Sequence, residues 1–427
     1  MVVFVTIATR PDLVRIAYKY YAFDPLLRLG QSWRDVLFHS LRLGATMKSK
    51  TMTGRDPSSG AMLEVTIYDG HIQAIAPSLA DEAAWLSPGF IDLQVNGYRG
   101  SDINSDTVDA DVVIALTQTL LSMGVTTFLP TIITASEEKI IRALRAIAEA
   151  RRASPMVAHA VPFVHVEGPF LSPEDGPRGA HAREYIRAAS LLEFERWEAA
   201  SDNLVGMVTI SPHDEDALEF ISVLAKREVV MAIGHSHATP AQIHAAADAG
   251  ATLSTHLGNG LGSPLPRHPN LLWAQLADDR LAATFIADGH HLPLDTLKSM
   301  IRAKGIERSI LVSDTVALGG MPPGFYDTTV GGAVQVTSEG RIVSATGGGF
   351  LAGAYRPLVD GIARVAGIEG VALGGAIQMA TENPGRFAGR RGALRIGAEA
   401  DLILFDWNAA SNALQILNVL VQGAQLE

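Results

Sequence analysis

Glu167, His235, His256, Asp288, His291 and Asp314 are the residues around which chemistry can be built. They stand at or just past the ends of short apolar runs: VHVEG, VVMAIGH, ATLSTH, FIADG and SILVSD. One polar residue at such a place is more often a hydrogen-bonded structural group than a functional one. Five run ends bearing His, Asp or Glu are much harder to explain as packing. A catalytic divalent metal needs three protein ligands and an open position for water. The chain has no cysteine, so any ligand must be His, Asp or Glu. Glu167, His235 and His256 supply two imidazoles and a carboxylate, a set that accepts zinc first and also Fe(II), Mn or Co. Asp314 can take a proton from an activated water and return it to a leaving nitrogen. Its competing role is structural, because Ser313-Asp314-Thr315 also makes a good helix N-cap cluster. His237, two residues beyond His235, is read as structural or capping, and so are His71, His159, His165 and His268.

These residues need a frame that delivers them to one place. Between about Pro88 and Ala388, apolar strands such as VTTFLPTII, AVPFVHVEG and LVGMVTISP alternate with amphipathic runs such as EEKIIRALRAIAEARR and ATPAQIHAAADAG. Strand–helix alternation over some 300 residues predicts an α/β fold, a (β/α)8 TIM-type barrel with active residues at the C-terminal strand ends; a doubly wound sheet is the alternative. No Gly-x-Gly-x-x-Gly follows the first strand, which counts against a dinucleotide fold, and Gly347–Phe350 (GGGF) reads as a turn. LEVTIYDGHIQAIAP reads as a hairpin around Asp69-Gly70, and ADLILFD with LQILNVLVQGAQLE supplies strands at the other end. A small β-sandwich domain built from 53–87 and 389–427 is expected to flank a barrel over 88–388.

The first 50 residues differ from the rest. They carry eight Lys/Arg against three Asp, a balance of +5 within a chain whose formal charge is −11. Residues 1–52 are therefore set apart as an extension: an organelle-targeting segment, a structural extension, or translated sequence before a start near Met47 or Met52, the last being favoured. The overall negative charge argues against nucleic-acid and anionic-membrane partners. With 48% hydrophobic and 19% charged residues, the composition is that of a globular enzyme, and no apolar run is long enough to span a bilayer. The lack of disulfides fits a reducing, cytoplasmic setting.

The run PGFIDLQVNG resembles the opening barrel strand of metal-dependent amide hydrolases, but Gln94 and Asn96 stand where many of them have His-x-His. Two neutral amides are weak ligands, so these are vestigial second-metal positions and one metal is expected. With GVTTFLPTIIT, HVEGPFLSPEDGPRGAH, GHSHAT, STHLGNG, IADGHH and LVSDTVALGGMPPGFY in order, the chain from about Gly54 resembles the N-acetylglucosamine-6-phosphate deacetylase family. The resemblance implies a homodimer that removes acetate from a phosphorylated amino sugar. It implies metal ligation by Glu167, His235 and His256 and catalysis by Asp314. It also implies substrate contacts at Ala180, His181, Asn259, Gly260, Asp288, His291, Leu351, Ala352 and Gly353, with Arg267 reaching the phosphate in the neighbouring subunit.

The chain departs from that family in THLGNGLG and in LAGAYRPL, and three glycines precede the latter. These changes touch the substrate side and leave the metal set and Asp314 intact. Another N-acyl amino sugar or small amide is thus the alternative substrate, and a non-catalytic sugar-binding relative is the alternative class.

Overall fold

The computed structural model describes residues 49–262, 264–328, 332–344 and 351–426. The extension before residue 49 and the Gly347–Phe350 turn lie outside the described residues. In the hairpin, Asp69 and Gly70 take φ of 49° and 73°, the left-handed pair that a two-residue turn needs between Met62–Tyr68 and His71–Pro77. Lys50–Arg55 pairs antiparallel with Met62–Tyr68 from Lys50↔Ile67 to Arg55↔Met62. The expected boundary at 52/53 therefore falls inside a strand. The chain enters this sheet at Lys50 because its alternating residues Met52 and Gly54 turn inward, and Met52 is buried.

The β-domain formed by both ends of the chain is one continuous seven-stranded sheet. Trp85–Pro88 joins its halves, pairing with Leu402–Asn408 from the C-terminal end and bridging to Arg55 from the N-terminal end. Met52, Val65, Ile67, Ile72, Leu86, Ala400, Leu402 and Leu420 form its core.

From Phe90 the chain enters the barrel, a sheet of eight parallel strands: Phe90–Val95, Val125–Ile133, Val164–Glu167, Val205–Ile210, Val230–Ile233, Leu253–Ser254, Ala282–Ile286 and Ser309–Val312. They are called the first to eighth barrel strands below. The ends meet where Asp314 N–H donates to the Gln94 carbonyl (2.9 Å) and Asn96 N–H to the Thr315 carbonyl (2.8 Å), closing the first strand against the eighth. Helices cover the outside. Glu137–Ala153 begins at the Ser136 cap, carries acids in its first turn and arginines in its last, and buries Ile140, Leu144 and Ile147. Pro240–Ala249 has a capping box of Thr239 and Gln242. A three-stranded sheet (Gly324–Thr328, Gly332–Val336, Ile342–Ser344) is inserted between the eighth strand and the helix Leu358–Ala366. No helix among the described residues is long and apolar enough to cross a membrane.

Candidate active site

The polar residues singled out above fall on one rhythm. Glu167 ends the third strand, and His235, His256, Asp288 and Asp314 each lie two residues beyond the fifth, sixth, seventh and eighth. Parallel strands of one barrel all end on the same rim, so this rhythm gathers the residues. His235, His256 and Asp314 take φ of 47°, 29° and 52°. Left-handed backbone at non-glycine residues costs about 1–3 kcal/mol each and persists where surrounding structure holds it. Here it turns each side chain off its strand toward the barrel axis.

The candidate ligand atoms converge. Glu167 Oε1 is 2.9 Å from His256 Nε2 and 3.4 Å from His235 Nε2, and the two Nε2 atoms are 3.2 Å apart. All three residues are buried. His235 Nδ1 sits 2.9 Å from the Pro177 carbonyl, which can only accept, so Nδ1 carries the proton and Nε2 presents a lone pair. Burial opposes ionisation of Glu167, yet the adjoining His235 and His256 imidazoles hold it well below the usual carboxylate range. Two imidazole nitrogens and an ionised carboxylate aimed at one buried spot fit a divalent cation. Gln94 Nε2 donates to Glu167 Oε1 (2.9 Å), so this amide orients the ligand carboxylate.

Asp314 lies beside this cluster. Its Oδ1 accepts a hydrogen bond from Asn96 Nδ2 (2.8 Å), while Asn96 Oδ1 is buried without a partner. Burial and the nearby Glu167 charge raise the Asp314 carboxyl to about 6, against the pull of His256, His291 and Asn96. His181 is buried with Nε2 3.2 Å from His235 Nε2 and Nδ1 2.9 Å from Thr134 Oγ1. Burial and His235 lower its basicity to about 3, keeping it neutral.

The remaining residues divide. Asp288 is buried; His291 and the backbone N–H groups of His290 and His291 outweigh that burial and hold the carboxyl at about 2. Asn259 Nδ2 donates to the His256 carbonyl (3.1 Å), and Gly260 rests on the His235 ring. Leu351 bridges to Val343 of the inserted sheet and Ala352 N–H donates to the Ile342 carbonyl (2.9 Å), while Gly353 packs against Val316 and Ala354 N–H donates to the Asp314 carbonyl (3.3 Å). Ala180 is exposed next to His181. Arg267 is exposed on the loop after the sixth strand and is not brought into the buried cluster.

Three supporting groups stand behind the site, of which only His165 was singled out in the sequence, as structural. Asp92 is buried in the first strand and accepts from Ser313 N–H (3.1 Å), beside Asp314; burial raises it to about 7. Thr134 orients His181. His165, two residues before Glu167, bonds to the Leu93 carbonyl (3.1 Å) and Thr209 Oγ1 (2.8 Å) inside the barrel. For Asp92 and His165 the signal was strand parity, since each stands two residues before Gln94 or Glu167 on the same strand face.

The amidohydrolase family profile matches residues 85–426. The chain is 33% identical over 368 residues to N-acetylgalactosamine-6-phosphate deacetylase of Escherichia coli O157:H7, covering 84% of this chain and 93% of that protein. It is 30% identical over 344 residues to N-acetylglucosamine-6-phosphate deacetylase of Bacillus subtilis (strain 168), covering 79% and 83%. Among solved structures, a mutant N-acetyl-D-glucosamine-6-phosphate deacetylase of Mycobacterium smegmatis in complex with N-acetyl-D-glucosamine-6-phosphate superposes with a TM-score of 0.77 at 27% identity, over 88% of this chain and 99% of that one. With the barrel, the buried three-ligand cluster and Asp314 in place, the chain belongs to the amidohydrolase family and, within it, to the N-acetylglucosamine-6-phosphate deacetylase family.

Proposed function

We propose that the protein hydrolyses the acetamido C–N bond of N-acetyl-D-glucosamine 6-phosphate, releasing acetate and glucosamine 6-phosphate. The observation that carries this is the placement of Asp314: a buried carboxyl, raised to about 6 and tethered by Asn96, beside three converging ligand atoms. A divalent ion held by Glu167, His235 and His256, zinc first, supplies the Lewis acidity that acidifies water and polarises the amide carbonyl. Asp314 takes a proton from the attacking water as its oxygen bonds to the carbonyl carbon. It gives that proton to the sugar nitrogen as the C–N bond breaks, so the amine leaves neutral. A carboxyl raised by burial suits both halves of that cycle. Asn96 holds the carboxylate in line, and neutral His181 can donate from one ring nitrogen toward the carbonyl oxygen.

The phosphate end belongs to the loops around Asn259, Gly260 and His291. Arg267 is exposed and forms no ion pair with a described residue, which suits a guanidinium that serves the phosphate of a neighbouring subunit in a homodimer. A cytoplasmic setting accords with a chain free of cysteine. The galactosamine epimer is a second reading, favoured by the named substrate of the E. coli relative and by the altered 258–262 and 351–358 stretches.

Acetate release from the 6-phosphates of both epimers and from unphosphorylated N-acetylglucosamine is the test. Fast turnover of the glucosamine compound, at least tenfold above its unphosphorylated form, is expected. Asp314→Asn should lose about 10²–10⁴-fold in kcat while retaining its metal. Wild-type rates equal with and without phosphate would overturn the phosphate assignment, and full activity in the Asn variant would overturn the role of Asp314.

A further inference from the structure

The first barrel strand leads to both amides that serve the catalytic cluster, Gln94 and Asn96, and its ladder breaks just where they stand. Pairing with the second strand lapses between Asp92↔Phe128 and Val95↔Pro130, so Leu93 and Gln94 together face Leu129 alone. Such a bulge is a common device for re-aiming side chains beside active sites. Pro130, where pairing resumes, has no N–H to give. Side chains take over in the gap. Gln94 N–H donates to Asp92 Oδ1 (3.3 Å) and Val95 N–H to Thr131 Oγ1 (3.1 Å). The Gln94 carbonyl accepts from Asp314 N–H (2.9 Å), and the Leu93 carbonyl accepts from His165 Nδ1 (3.1 Å).

His165 is buried on the third strand, two residues before Glu167 and on the same strand face. A carbonyl only accepts, so Nδ1 carries the ring proton. Burial keeps the imidazole neutral, pushing it down to about 4, and Nε2 therefore accepts from Thr209 Oγ1 (2.8 Å). Thr209 has then spent its proton, so Thr255 Oγ1 donates to it (2.7 Å). One directed chain thus crosses the barrel interior, from Thr255, the residue before His256, through Thr209 and His165 to the carbonyl that adjoins Gln94. His165 supports both ends of one contact, the 2.9 Å bond from Gln94 Nε2 to Glu167 Oε1. Gln94 stands on the bulge that the imidazole holds, and Glu167 stands on the imidazole's own strand.

We propose that His165 is a positioning residue: its Nδ1–H takes the place of a ladder donor at Leu93, fixes the bulge, and through Gln94 sets the orientation of the Glu167 carboxylate. The inference rests on the reading of Glu167 as a metal ligand and is independent of which amide is hydrolysed. A histidine that only filled the core would need some partner for each nitrogen; here the partner carbonyl belongs to the residue next to the one that bonds the ligand. No neighbour can replace the donor. Thr131 Oγ1 is 3.5 Å from His165 Nδ1, but its proton goes to the Leu129 carbonyl (3.1 Å). Without the imidazole N–H, the Leu93 carbonyl is left unpaired in the barrel interior, and the bulge shifts to relieve it.

The test is zinc affinity, measured by competition with a chromophoric chelator on metal-stripped full-length protein. The visible bands of the cobalt-loaded protein serve as the report on ligand geometry. His165→Leu should bind zinc about 10–100-fold more weakly than wild type and shift the cobalt bands. His165→Asn, whose Nδ2 stands where Nδ1 stood, should recover most of that loss. His165→Gln reaches only toward Thr209 and should not. Circular dichroism and a urea midpoint report whether each variant is folded; should His165→Leu not fold, the Asn and Gln variants decide by comparison. Wild-type affinity and unshifted bands in His165→Leu, with only the urea midpoint lowered, would overturn the proposal, and so would a Gln variant that binds zinc as well as the Asn variant. His256→Ala separates the two readings: if it binds zinc like wild type, or if wild type binds none, the ligand assignment itself fails and this inference falls with it.

Discussion

At the residue scale, the decisive contacts are those that hold Asp314. Asn96 donates to its carboxylate and favours the ionised form, so removing that donor raises the pKa further. A general base works only when ionised, so the acid limb of kcat/KM follows this pKa. In wild type the limb should fall at or below about 6, because a bound dication also favours the carboxylate. Asn96→Ala should move it to higher pH and lower kcat, measured as a pH–rate profile against wild type; an unmoved limb would detach Asn96 from Asp314. Asp92 behaves differently, as a carboxyl that burial keeps protonated up to about 7. Its folded pKa lies above the unfolded value of 3.8, so the native state binds more protons between those two values. The stability from that proton is fully present below about pH 4 and is lost as pH rises through about 7. Asp92→Asn keeps an acceptor for Ser313 and carries no such charge. Its stability should fall less than that of wild type from pH 4 to pH 7 in urea unfolding curves.

At the element scale, the loops after the strands carry the chemistry, and their close approaches leave little slack. Gly260, with φ of 60°, sits so that a Cβ would lie 2.7 Å from His235 Nδ1. Gly260→Ala should cost about 1–2 kcal/mol for the left-handed backbone. It should also push the His235 ring off the Pro177 carbonyl, with a drop in metal affinity of about 10–100-fold, measured by zinc competition. The strand–helix alternation and the hairpin turn at Asp69-Gly70 were legible in the sequence because each depends on residues within a few positions. The strand at Lys50 was not. KTMTGR has a weak pattern of its own and becomes a strand by pairing with Met62–Tyr68 and bridging to Trp85.

At the scale of the whole molecule, the two ends of the chain form one sheet and the barrel hangs from it. His159 belongs to the barrel helix Pro155–Ala160 and bonds through Nε2 to Asp401 Oδ2 (2.7 Å) beside the terminal sheet, while Asp401 Oδ1 accepts from Gln422 N–H (2.8 Å). Arg391 Nη1 donates to the His159 carbonyl (2.6 Å). Asp401→Ala leaves a buried imidazole and a backbone N–H without their acceptor, and should cost about 2–3 kcal/mol of stability. Metal content should not change, because this clasp is remote from the ligand cluster. A shifted urea midpoint with unaltered metal content is the expected result.

By itself, the sequence pointed to the barrel, to the β-domain drawn from both ends, and to Glu167, His235, His256 and Asp314 as candidates for one site. A parallel barrel places every strand end on one rim, so a linear rhythm of polar residues becomes a cluster without further information. What only the tertiary structure decided were relations between residues far apart in the chain. Gln94 proves to orient Glu167, and Asn96 to hold Asp314 across 218 positions. His159, read as structural, is the joint to the terminal sheet, and His237 faces His213. The physical reason is common to all of them: a hydrogen bond is decided within 3.5 Å, and neither strand parity nor motif spacing carries that distance.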